Sequence, residues 1–116
     1  MGDAYMNGIP EAFAVAARRS DDLLIISLSG ELDAANVEPL QQAIREAEKG
    51  DSETIFLDLR ELSFIDSVGL SVLLDARRRS DRIRFVPSNH DQVARLIALT
   101  GTGEALGYPL TGGPAV

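Results

Sequence analysis

Cysteine and tryptophan are absent from this chain, and histidine occurs once, at His90. Without cysteine there is no disulfide framework, no thiolate nucleophile and no Cys-based zinc site, so the chain has no redox chemistry of its own. A reducing compartment suits it. Bases are scarce too: 11 Lys and Arg stand against 18 Asp and Glu, a formal charge of −7. Nucleic acids and anionic lipid surfaces are held by clustered cations that release counterions, so neither is an expected partner. No window approaches the roughly 18 consecutive apolar residues of a transmembrane helix. Met1–Pro10 has neither a basic start nor an apolar stretch and does not read as a signal peptide. A cytoplasmic protein is expected.

What is present is a globular composition: 116 residues, 45% of them hydrophobic, enough for one core of two or three packed layers. One domain over residues 12–110 is expected, between tails at 1–11 and 111–116, as a monomer or weak dimer. The charge is uneven. Residues 1–66 hold 14 acids and 5 bases, whereas residues 67–116 hold 4 acids and 6 bases, five of them in the run Arg77, Arg78, Arg79, Arg82 and Arg84. No aromatic side chain interleaves that run for base stacking, and cations suit a helix C-terminus, so a solvated helix end is its plain explanation.

Phe13–Ala17, continued by Arg18 and Arg19, reads as an edge strand ending in the turn Ser20–Asp21–Asp22. The continuous run Leu23–Leu28 suggests a strand buried on both faces. From Asn36 the period becomes 3.6, with Val37, Leu40, Ile44 and Ala47 on one stripe and Gly50 as the stop. A second buried strand follows at Thr54–Leu59, extended through Leu62 and Ile65, and a helix begins near Ser67. Ile83–Val86 is a third core strand, ended by Pro87. Ser88 or Asn89 can cap a last helix stopped by Gly101, and Glu104–Leu110 has room for one more turn or short strand. The order β-β-α-β-α-β-α predicts an α/β fold, a mixed and mainly parallel sheet of four to five strands with three to four helices packed on it.

Catalytic constellations do not stand out. His90 has no second ligand-type cluster, and Gly101–Thr102–Gly103 follows a helix instead of opening one. No catalytic residue, metal site or cofactor is expected. The unusual local sequence is Ser63–Phe64–Ile65–Asp66–Ser67–Val68–Gly69–Leu70, where a buried strand runs through Asp–Ser directly into a helix. Asp66 or Ser67 serves as an N-cap. Gly69 costs up to about 1 kcal/mol relative to Ala in a helix, which implies a close approach to the backbone there. A hydroxyl at a helix N-terminus also suits a phosphate, because the free N–H groups and the dipole favour negative charge.

Gly30–Glu31–Leu32–Asp33, Leu57–Asp58–Leu59, Ser63–Leu70, Val93–Leu96 and Thr100–Gly101 together resemble the STAS-domain anti-sigma-factor antagonists, in unbroken order over about residues 12–110. The resemblance implies a partner-switching regulator that is not an enzyme. Ser67 would be phosphorylated by an anti-sigma factor that is a serine kinase; the unphosphorylated form would bind that kinase and release a sigma factor. A metal-dependent serine phosphatase would reset it. The partner-binding surface implied comprises Glu31, Asp33, Asp66, Ser67, Val68, Gly69 and Leu70. Val68 departs from the small or hydroxylated residue common after the acceptor. The alternatives are an unphosphorylated STAS scaffold module and a domain binding a small anionic ligand at the same helix start.

Overall fold

The computed structural model describes residues 12–99. Its elements are β1 (Ala14–Ser20), β2 (Leu23–Leu32), α1 (Val37–Lys49), β3 (Thr54–Ile65), α2 (Ser67–Arg79), β4 (Ile83–Val86) and α3 (Asp91–Leu99). The order is the one the periodicity predicts; the two tails, the Gly101 stop and Glu104–Leu110 lie outside the described residues. The four strands form one sheet in the order β1-β2-β3-β4. β1 runs antiparallel to β2 through a turn in which Asp21 takes a left-handed φ of 54°. β2 pairs with β3, and β3 with β4, in parallel.

Each parallel step advances one strand in the same direction, and crossovers of this kind are right-handed, so α1 and α2 fall on the same face. Their stripes Leu40, Ile44 and Ala47, and Leu70, Leu73 and Ala76, join Ile26, Leu28, Leu32, Leu57 and Leu59 in one core. Val93 of α3 completes it. The opposite face explains why one expectation fails. The run Leu23–Leu28 is not buried on both sides: Ile26 and Leu28 are enclosed beneath the helices, whereas Leu23 and Ile25 are half-buried. With Phe56, Val86 and three charged side chains, these two line a shallow cleft of about 190 Å³.

Three local details position the ends of the strands. β2 shifts register against β3 between Ser27 and Ser29 and again at Gly30–Glu31. Gly30 has φ 87°, and an added Cβ would meet the Ala12 carbonyl, so the bulge needs glycine. α3 starts later than a Ser88 or Asn89 cap implies. The Ser88 hydroxyl accepts from the His90 amide, and it is the His90 carbonyl that accepts from Val93 and Ala94.

Candidate functional site

β3 ends at the carboxyl edge of the sheet, where loops of α/β folds gather and ligands and partners dock. Asp66 follows in extended conformation, φ −101° and ψ −176°, and caps α2: its Oδ1 accepts from the Gly69 amide at 2.8 Å. The Asp66 carbonyl accepts from Leu70 at 2.9 Å. Ser67 is the first residue of α2 and is exposed. Its hydroxyl takes no hydrogen bond among the described residues, while its carbonyl accepts from the Ser71 hydroxyl at 3.0 Å.

The β2–α1 loop is brought alongside. Asp66 donates its amide to the Leu32 carbonyl at 3.2 Å and accepts the Ala34 amide on Oδ2 at 3.1 Å. Within the loop, Asn36 does not cap α1 with its side chain, as its position suggests. Its Oδ1 accepts from the Asp33 amide and its Nδ2 donates to the Glu31 carbonyl, both at 2.8 Å. Asp33 Oδ1 accepts from the Ala35 amide at 3.0 Å. Glu31 is exposed, in register with Phe64 on β3.

The seven residues singled out from the sequence therefore lie around one edge, in two classes. Glu31, Ser67 and Val68 are exposed, and Asp33 and Asp66 are half-buried. Gly69 and Leu70 are interior. The close approach at Gly69 is made by this chain itself: an added Cβ would lie 2.8 Å from Leu32 Cγ and 3.1 Å from Ile65 Cγ1. Two large hydrophobic side chains are conspicuously exposed among the described residues, Phe64 at 41% and Val68 at 42%, and both flank Ser67. Segments 29–36 and 61–72 contain Glu31, Asp33, Glu61 and Asp66 and no Lys or Arg.

The arginine run lies at the other end of α2 and is consumed locally. Arg78 pairs with Asp75 at 3.1 Å, Arg79 with Glu48 at 3.2 Å and Arg77 with Asp81 at 3.6 Å. Arg84 donates to the carbonyls of Asp81 and Ile83. Arg82 donates to the carbonyls of Glu48, Gly50 and Ser52, clasping the end of α1. His90 is exposed.

The STAS domain family model matches residues 14–109. The chain belongs to the STAS domain family. Its relatives include the anti-sigma-B factor antagonist of Listeria monocytogenes, 29% identical over 93 residues that cover 76% of this chain and 80% of that protein. Among solved structures, an anti-sigma factor antagonist from Mycobacterium paratuberculosis is 25% identical, covers 90% of this chain and 92% of its own, and superposes with a TM-score of 0.77. The Bacillus antagonist SpoIIAA in its unphosphorylated form is 26% identical, with coverages of 89% and 92% and a TM-score of 0.64.

One feature of this STAS domain escaped the sequence reading. Arg60 grips Asp58 with both ends of its guanidinium, Nε to Oδ1 at 3.0 Å and Nη2 to Oδ2 at 2.8 Å, and its amide also donates to Oδ1 at 3.1 Å. Those hydrogen bonds hold the Asp58 carboxyl below the ordinary carboxylate range, against the opposing effect of its burial. The signal was an Asp and an Arg two apart on a strand, hence on one face.

Proposed function

We propose that this STAS domain is an anti-sigma-factor antagonist whose unphosphorylated form binds a serine-kinase anti-sigma factor and frees a sigma factor. Phosphorylation of Ser67 switches binding off, and a metal-dependent serine phosphatase restores it. The chain acts as substrate and ligand, in the cytoplasm, while the kinase supplies ATP and Mg²⁺. The observation that carries this reading is the placement of Ser67: an exposed residue at the start of a capped helix, flanked in sequence by the exposed hydrophobic residues Phe64 and Val68, beside an acidic loop. A phosphate there adds about −1.5 to −2 charges next to Asp66, at the first turn of a helix that favours an anion and so is not melted by it. A partner docked on this edge would have to desolvate that dianion. Without a new basic partner this costs at least about 1.4 kcal/mol, a tenfold loss of affinity.

Incubation with the cognate anti-sigma kinase and ATP should add one phosphate, read by intact-protein mass spectrometry, and none to Ser67→Ala. Equal labelling of wild type and Ser67→Ala, or no labelling of a kinase-bound wild type, would exclude Ser67 as the acceptor.

A further inference from the structure

We propose that Asp66 is a positioning residue that locks the β2–α1 loop to the helix carrying Ser67, so that the two halves of the docking surface are preset relative to each other. The inference rests on the docking role given above to that edge. Each oxygen of the carboxylate holds a different segment: Oδ1 the Gly69 amide at 2.8 Å, Oδ2 the Ala34 amide at 3.1 Å, 32 residues away in sequence. The bonds inside the loop, from Asp33, Ala35 and Asn36, shape the turn but do not leave it. Among the described contacts, the hydrogen bonds that tie it to the α2 side come from Asp66.

Capping alone does not require aspartate, since Ser, Asn and Asp cap about equally well. A second acceptor does. A serine hydroxyl has one oxygen, and the second polar atom of asparagine is an NH₂ that would face the Ala34 N–H donor to donor. Aspartate offers two acceptors, and its charge strengthens both bonds. A loop fixed before encounter does not have to be ordered on binding, which favours affinity.

The test compares Asp66→Ser and Asp66→Asn, which retain an acceptor for Gly69, with Arg82→Gln, which weakens the opposite end of the sheet. Amide exchange on the free protein should be about tenfold faster at Ala34 in both Asp66 variants, with Gly69 still protected. Affinity for the anti-sigma kinase should fall several-fold in the Asp66 variants and stay at the wild-type value in Arg82→Gln, whose loss is one of stability alone. Wild-type protection at Ala34 in the variants overturns the proposal. So does faster exchange with undiminished affinity, and so does lost affinity with Ala34 still protected, which would make Asp66 a direct contact. A wild-type protein that does not bind the kinase removes the proposed function instead, and Ala34 exchange then decides by itself whether Asp66 holds the loop.

Discussion

A glycine in the first turn of a helix weakens that helix, and at Gly69 the reason lies in packing. Leu32 and Ile65 fill the space a Cβ would take, so α2 can seat itself close over the end of the sheet. Gly69→Ala recovers up to about 1 kcal/mol of helix propensity but overpacks a filled interior, which costs roughly 1–3 kcal/mol. A net loss near 1 kcal/mol is expected, seen as a lower urea midpoint at unchanged slope; a raised midpoint would show that Leu32 yields freely. The glycine was legible in the sequence as a close approach. Its partner was not, because Leu32 lies 37 residues earlier and nothing in the local pattern points to it.

At the scale of elements, Arg82 and Arg60 act by different means, one on backbone carbonyls and the other on a carboxylate. Arg82 is half-buried and closes the C-terminal end of α1 with bonds to three backbone carbonyls between 2.7 and 3.2 Å. Arg82→Gln should destabilise the fold by about 1–3 kcal/mol, because carbonyls at a helix end lose charge-assisted donors. Arg78→Ala, an exposed pair, should change stability by less than about 0.5 kcal/mol. Thermal unfolding of both variants separates the clasp from the solvated pair. On β3, the Asp58 carboxyl is more acidic in the fold than in the unfolded chain. Its contribution is therefore complete above the unfolded value of about 3.9 and is lost as pH falls below it. Arg60→Gln removes the cause, so the stability gap between wild type and this variant should narrow below about pH 4. A gap constant from pH 6 to pH 2.5 would show that the pair carries no linkage.

For the whole molecule, the acidic edge and the arginine end sit at opposite ends of α2, and the proposed switch works at the acidic one. Because Ser67 is exposed and its helix is already capped by Asp66, Ser67→Asp should leave far-UV circular dichroism intact and Tm within about 3 °C, while kinase affinity drops at least about tenfold. A collapse of Tm would instead mean that the hydroxyl supports the fold. No described helix is long and apolar enough to cross a membrane.

Much of this fold was determined by short-range pattern. The change from period 2 to period 3.6 marks the strands and helices, Asp66 sits where a cap belongs, and right-handed crossovers follow from strands alternating with helices. The tertiary structure decided what depends on residues far apart in the chain. The one-directional strand order leaves half of Leu23–Leu28 on an open face. Arg79 reaches Glu48, Arg82 reaches the carbonyls that end α1, and Asp66 reaches Ala34. Periodicity reports which side of an element faces inward; which atoms meet there is settled only when distant elements pack.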